Sequence, residues 1–328
     1  MLANLFKSFG KKIVLSIDDL VHGWKIPTYI QGGAAYRTKE ASYNIHDMMA
    51  IADRIIVTTP FLRDQLAKHF VMPTWKFACY PNLPSFNWLG KLFNPAMKIQ
   101  NFKTRQNKGL RIGVISSLSH YEMGNGDKEK DDIQILVDAA KHLKDYKITN
   151  LTFVLPSNGD TKITERLSPY VKVETAPMTA IRDYPMGLMK MDLDFVVVPL
   201  QDSDFNNCKS NIKLLECAAI GVPVFVSESK AYDGFIDKEF VFLDGKTLCD
   251  KLIWAKNWSE KRYSSVITSN YMKFFDNQCD YFGTPLNGYW LENNFSLTGD
   301  TFLRYDWQGG IKPPQLKTEE DEAKEETR

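Results

Sequence analysis

Cysteine and histidine are sparse in this 328-residue chain, at five each, and neither falls into a metal-ligating pattern. Cys79, Cys208, Cys217, Cys249 and Cys279 contain no C-x-x-C pair, and no H-E-x-x-H joins the histidines. A structural zinc centre and a disulfide framework are both unsupported, and scattered thiols of this kind suit a reducing compartment, the cytoplasm. No strand-like run leads into G-x-G-x-x-G, which argues against a Rossmann oxidoreductase or an epimerase of nucleotide sugars. No apolar run approaches the ~20 residues needed to span a bilayer. The opening MLANLFKSFGKK lacks the apolar centre of a signal peptide. Excess charge is missing too: 41 Lys+Arg stand against 40 Asp+Glu, a net +1. Bulk electrostatics therefore give no reason to expect a nucleic-acid or membrane partner.

What is present is an ordinary globular composition, 44% hydrophobic, with room for two domains of ~150 residues each. Leu2, Leu5, Phe6 and Phe9 share a side, with Lys7, Lys11 and Lys12 nearby; the favoured expectation is a helix packed on the body, and a peripheral, interfacial helix is the alternative. KKIVLSI (11–17) reads as a strand. YNIHDMMAIAD (43–53) sets Ile45, Met48, Met49 and Ala52 on one helix face. RIIVTT (54–59) is a strand, and Thr59-Pro60 supplies an N-cap and an N1 proline for the helix FLRDQLAKHF. KFACYPN (76–82) is a third strand. Residues 83–109 lose periodicity and read as a linker.

A second βα series follows. LRIGVISS (110–117), NLTFVLP (150–156), VKVET (171–175), DFVVVPL (194–200) and VPVFVS (222–227) are strands. DDIQILVDAAKHL (131–143) is a helix with Ile133, Leu136, Val137, Ala140 and Leu143 on one face. The continuous apolar runs suit parallel strands covered on both sides. The class expected is α/β with two Rossmann-like, doubly wound units, the first truncated. The expected division is 1–108 for the shortened first unit and its linker, 109–262 for the second unit, 263–316 for an aromatic segment packing on the body, and 317–328 for a charged, disordered tail. Three strands are few for a doubly wound unit, so a homo-oligomer or a partner chain is expected to complete the first one.

The informative stretch is NNCKSNIKLLECAAIGVPVFVSE (206–228). Placed as a helix over 209–219, Ile212, Leu215 and Ala219 form a core stripe. Lys209, Lys213 and Glu216 form a polar stripe beside it. A solvated helix face with a Lys–Glu pair explains this equally well. The flanks favour a ligand: the helix follows a parallel strand, so it opens where α/β sheets bind small molecules. With Lys209 and Ser210 in its first turn, it would suit a diphosphate, and Glu216 could accept from a sugar diol.

PLQDSDFNNCKSNIKLLECAAIGVPVFVSES resembles the nucleotide-sugar-binding segment of GT-B glycosyltransferases, especially family 4, the group 1 transferases. These share a PL…FN-x-x-KS-x-IK-x-LE-x-x-x-x-G-x-PV run. IVLSIDDLVHGWKIP is similar to their D-x-D-D segment, ADRIIVTTPFLRDQL to their AD-x-V-x-VST-x-x-L segment, and LRIGVISSLSHYEMGNGDKEKDD to the G-x-x-G-S-x-x-H-x-x-D opening of their second domain. Together these cover most of 13–227. The resemblance implies transfer of a hexosyl or pentosyl unit from a nucleoside diphosphate sugar, with retention and without a metal ion or other cofactor. It implies His120, Lys209 and Glu216 as catalytic residues. Ser117, Asn206, Lys209, Ser210, Lys213 and Glu216 would bind the donor, and Asp18 and Asp19 would face the acceptor, although an N-cap role explains that pair of aspartates equally well. Substituting Glu216 is then expected to weaken donor binding with little effect on folding. Two departures stand out. Cys208 replaces the family's first motif glutamate, and the acceptor unit is short. The acceptor suggested is a surface glycan or, in phage-type relatives acting in the host cytoplasm, a modified DNA base. The alternative is a non-catalytic GT-B-like subunit that binds a partner. Asp192-Leu-Asp194 mimics a metal-binding D-x-D but leads straight into a strand, and Gly124-Asn-Gly126 lacks a third glycine for a phosphate loop.

Overall fold

The apolar runs of the sequence become two separate parallel sheets in the computed structural model, which describes residues 2–30, 32–79, 93–115, 131–156, 161–177, 179–180, 183–279, 305–306 and 310–311. The first sheet has β1 (Val14–Ile17), β2 (Arg54–Val57) and β3 (Phe77–Cys79) in the order β1-β2-β3. Three helices accompany it: α1 (Leu2–Ser8), α2 (Lys39–Ile51) and α3 (Pro60–His69). The helix start after Thr59 is as expected. Its hydroxyl accepts from the Leu62 N–H at 3.1 Å, and Pro60 takes N1, where no N–H is needed. Met49 and Ala52 of the expected α2 face are buried, whereas Met48 is exposed. The favoured reading of the opening residues does not hold for its apolar tips: Leu5, Phe6 and Phe9 of α1 and the turn after it are at least half exposed.

The second sheet has six strands: β4 (Leu110–Val114), β5 (Leu151–Pro156), β6 (Lys172–Ala176), β7 (Phe195–Val198), β8 (Val224–Ser227) and β9 (Val241–Phe242). Every pairing is parallel and the order is β6-β5-β4-β7-β8-β9. This is the doubly wound order, and the winding direction reverses between β4 and β7. Beyond the carboxyl ends of those two strands, crossover chains diverge to opposite faces and leave a crevice. β7 and β8 are buried along their whole length, which is why they read as unbroken apolar runs.

The stretch read as a linker contains a helix, α4 (Pro95–Arg105), capped by the Asn94 side chain at the Met97 N–H, 3.1 Å. Its inner face is Phe102 and the stem of Lys98, both buried. One apolar residue and one lysine do not make a periodic signal. Further on come α5 (Asp132–Asp145), α6 (Thr161–Leu167), α7 (Tyr184–Lys190), α8 (Asp204–Asn207), α9 (Ile212–Ala219), α10 (Gly245–Lys256) and α11 (Glu260–Cys279). All five residues assigned to the inner face of α5 are buried. The segment expected from 263 onward to pack on the body opens inside a helix, α11, which runs to Cys279. Its Tyr263 is wholly buried and stacks on Phe102, ring centroids 4.1 Å apart. The tail at 317–328 and the 124–126 segment lie outside the described residues.

The two units meet at α8. Phe205 and Cys208, from the second unit, are buried in the core of the first beside Ile17, Leu62 and Leu66. Lys25 binds Asp204 at 2.8 Å, and the Tyr29 hydroxyl donates to Asp132 Oδ1 at 3.0 Å.

Candidate functional site

A cleft of about 380 Å³ lies at the crevice where the second sheet reverses. Ile115, just past β4, and Val198 and Leu200, at the end of β7, form part of its floor. Asp18 and Asp19 close it from the other side, immediately beyond β1. Both sheets thus present their carboxyl ends to one space.

Lys209, Ser210 and Lys213 line the cleft as expected from the sequence. The helix carrying them starts later than expected. α9 begins at Ile212, so Lys209 and Ser210 sit in the turn between α8 and α9. Asn211 is the N-cap residue but makes no side-chain cap. It is buried, and its Nδ2 has no partner among the described residues. α9 ends in a Schellman motif: the Gly221 N–H donates to Ala218 O at 3.0 Å and the Val222 N–H to Cys217 O at 3.0 Å. Gly221 has φ +69, and a Cβ there would also meet the Phe93 ring at 2.4 Å. Glycine is required on both counts.

Lys209 Nζ is 2.7 Å from Asp19 Oδ1 and 4.3 Å from the centroid of the Phe205 ring. Glu216 is 7% exposed. Its Oε2 accepts from Lys213 Nζ at 2.9 Å and from the Tyr184 hydroxyl at 2.8 Å. Burial, then the adjoining Glu216 charge, pushes the Tyr184 phenol far above its ordinary range, so it stays a donor. The Lys213 ammonium also lies 5.2 Å from the Tyr184 ring centroid, a cation–π arrangement. Lys213 and Tyr184 line the cleft and connect it to Glu216 behind them.

Other expected site residues lie elsewhere. Asn206 is buried in the seam between units. Its amide faces Asp132 Oδ1 at 3.0 Å, Tyr29 OH at 3.2 Å and Gln201 O at 2.9 Å. Asp132 Oδ1 also accepts from the Gln201 N–H at 2.6 Å, so this buried carboxylate gathers the turn after β7, α8 and the first unit. Ser117 and His120 lie outside the described residues. Cys208 faces the core of the first unit, and burial pushes its thiol up to about 12. It offers no anion. Asp192 and Asp194 stand at the amino end of β7, away from the cleft, and both pair with Arg105 of α4. No cluster of three or more His, Cys, Asp or Glu suited to a metal occurs among the described residues.

Tyr184 was not foreseen. Its only sequence signal is Tyr-Pro at a helix start, which says nothing about a hydroxyl reaching a carboxylate 32 residues on.

No protein-family model and no curated protein sequence matches this chain. Solved structures do resemble it in fold. Against TarM the TM-score is 0.57 at 14% identity, covering 87% of this chain and 50% of TarM. Against Anabaena Alr3699/HepE in complex with UDP-glucose it is 0.55 at 13% identity, covering 84% of this chain and 70% of HepE. A mutant of S. aureus TarM in complex with fondaparinux, alpha-GlcNAc-glycerol and UDP gives 0.55 at 14% identity. The chain spans half the length of TarM. The fold is that of GT-B glycosyltransferases, two α/β units facing one cleft.

Proposed function

We propose that this chain transfers a hexosyl or pentosyl group from a nucleoside diphosphate sugar to an acceptor hydroxyl. The observation that carries the proposal is the convergence of Lys209, Ser210 and Lys213 on the switch-point cleft of the second sheet. In glycosyl transfer the bond from the anomeric carbon to the diphosphate oxygen breaks as the bond to the acceptor oxygen forms. Negative charge builds on the leaving diphosphate, and prepositioned cations and donors are what such a step needs. With retention, acceptor and diphosphate share one face of the sugar, so a diphosphate oxygen can take the acceptor proton. Glu216, held by Lys213 and Tyr184, is the group assigned to the ribose hydroxyls. Asp18 and Asp19 are assigned to the acceptor side. UDP is the favoured nucleotide, since HepE binds UDP-glucose and TarM binds UDP.

No metal ion is assigned to the reaction. The two aspartates that mimic a D-x-D are paired with Arg105 on the far side of the sheet. The test is a mass-spectrometric screen of donor hydrolysis and transfer by the purified chain, with and without EDTA, offering oligosaccharides and hydroxymethylated DNA as acceptors. Conversion of one donor to its nucleoside diphosphate, unchanged by EDTA, is expected. The three short strands of the first unit favour one second reading, a non-catalytic binding subunit. Tight nucleotide binding without turnover of any donor would decide for it.

A further inference from the structure

We infer that the amino-end face of the first sheet, opposite the cleft, docks onto the surface of an anionic lipid bilayer. α1 leads directly into β1 at that end. Phe9 is 69% exposed, Leu5 and Phe6 are half exposed, and Trp75, on the turn into β3, is 62% exposed. Large apolar tips at the start of a sheet, outside any core, are not needed for folding.

Cations surround them. Lys7 and Lys12 lie 3.5 and 3.9 Å from Asp53, at the start of β2. Lys76 donates to Ala50 O at 2.7 Å, and burial, then the nearby Lys7 charge, lowers its pKa while Asp53 opposes them. Arg54 donates to Trp75 O at 2.5 Å with its guanidinium 6.0 Å from the indole centroid. Lys11 is exposed between them in sequence. Four cations, Lys7, Lys12, Arg54 and Lys76, therefore gather around Asp53, with Lys11 close by in sequence, on a chain whose total net charge is only +1. The acidic residue Asp47 is exposed two turns up α2, its Oδ1 3.4 Å from His46 Nδ1, and together with Asp53 it still leaves the patch cationic on balance.

This chemistry selects the occupant. Aromatic and leucine tips enter the boundary between headgroups and acyl chains, while ammonium groups remain at the level of lipid phosphates. A second copy is a poor fit, because a two-fold contact places the same cationic patch against itself. The geometry also leaves the site open. The cleft meets the carboxyl end of β1 at Asp18 and Asp19, one strand length, roughly 13 Å, from the docked face. The inference is independent of glycosyl transfer, and either can fail alone.

The test is cosedimentation of the full chain with phosphatidylcholine vesicles and with vesicles that also contain phosphatidylglycerol. Binding is expected only to the second kind, falling as salt is raised. Lys11→Gln should reduce the partition coefficient about fivefold, the effect of one interfacial cation. Phe9→Ser should reduce it further, and Trp75→Ser should act in the same direction. Urea denaturation, measured on each variant, reports that the fold is intact and should not change. Equal binding to both vesicle types, or no loss in Phe9→Ser, would overturn the inference. So would a concentration-dependent dimer that Phe9→Ser abolishes, because it would assign the face to self-association.

Discussion

Lys209 of the second unit and Asp19 of the first form a hydrogen-bonded ion pair across the mouth of the cleft, Nζ to Oδ1 2.7 Å. The lysine assigned to the leaving diphosphate is thus held by a carboxylate from the acceptor side. A diphosphate entering the cleft competes with Asp19 for the same ammonium. The pair is partly solvent-exposed, so its strength is that of a surface pair, about 0.2–1 kcal/mol. Asp19→Asn should therefore tighten UDP binding by up to about fivefold. Lys209→Ala should weaken it about ten- to a hundredfold, the range for a hydrogen bond to a charged group, and reduce turnover more than binding. Isothermal titration calorimetry with UDP checks both. Weaker binding in Asp19→Asn would show that the carboxylate does not compete with the ligand.

Glu216 now carries a folding cost that the sequence did not suggest. It is buried and accepts from both Lys213 and Tyr184. Glu216→Ala leaves the Tyr184 hydroxyl without this acceptor and should cost about 1–3 kcal/mol of stability. Glu216→Gln keeps an acceptor oxygen and isolates the ligand role. If Glu216 holds the ribose, the glutamine variant should lose its preference for UDP over 2′-deoxy-UDP while urea denaturation shows a smaller change than for alanine. An undiminished preference would leave Glu216 as a purely structural residue.

The strands and the cleft's cations were legible because each depends on local pattern. Buried parallel strands are continuous apolar runs, and Lys209, Ser210 and Lys213 follow one such strand in a short, recognisable motif. The start of α9 was not legible, since Lys209, Ser210 and Asn211 are equally polar in a turn or in a first helical turn. α4 was hidden because the stem of Lys98 does the work of an apolar residue. Asn206 matched a donor-binding motif, yet its amide is committed to Asp132, 74 residues away. Such long-range pairing has no local signature. Neither has Tyr184.

His22 and His69 stack beside the seam with ring centroids 4.8 Å apart. His22 Nδ1 and His69 Nε2 are buried without hydrogen-bond partners among the described residues. Burial lowers both pKa values, and Lys25 lowers them further; for His69 the His22 charge adds to this while Asp204 opposes it. A histidine whose folded pKa lies below its unfolded 6.5 takes up a proton more readily when unfolded. Stability is therefore lost as pH falls below 6.5. The melting temperature should drop between pH 7.5 and 5.5, and the drop should be smaller in His22→Phe. A pH profile unchanged by that substitution would exclude the pair as its source.

Arg105 should be a costly residue to lose, although it lies outside the cleft. It pairs with Asp192 and with Asp194, whose side chain is only 2% exposed. Asp194 also accepts from the Arg111 N–H at 2.8 Å, and Tyr263 donates to its carbonyl at 3.0 Å. This one aspartate ties together α4, β4 and α11. Burial nevertheless pushes its carboxyl up to about 6, against the opposing effects of Arg111 and Arg105. Arg105→Ala removes a partner from a buried carboxylate, a change that typically costs about 3–5 kcal/mol. The sign with pH follows. A carboxyl whose folded pKa is raised holds a proton that the unfolded chain has released, so its contribution declines as pH rises from the unfolded value toward the folded one. Without Arg105 the folded value rises further and the decline extends to higher pH. The loss in Arg105→Ala relative to wild type should thus be larger at pH 8 than at pH 5, as measured by urea denaturation. Adding Asp194→Asn should recover part of it, because a neutral amide carries no buried charge. Equal losses at both pH values, with no recovery in the double variant, would mean that the guanidinium acts through packing and that Asp194 does not need its charge balanced.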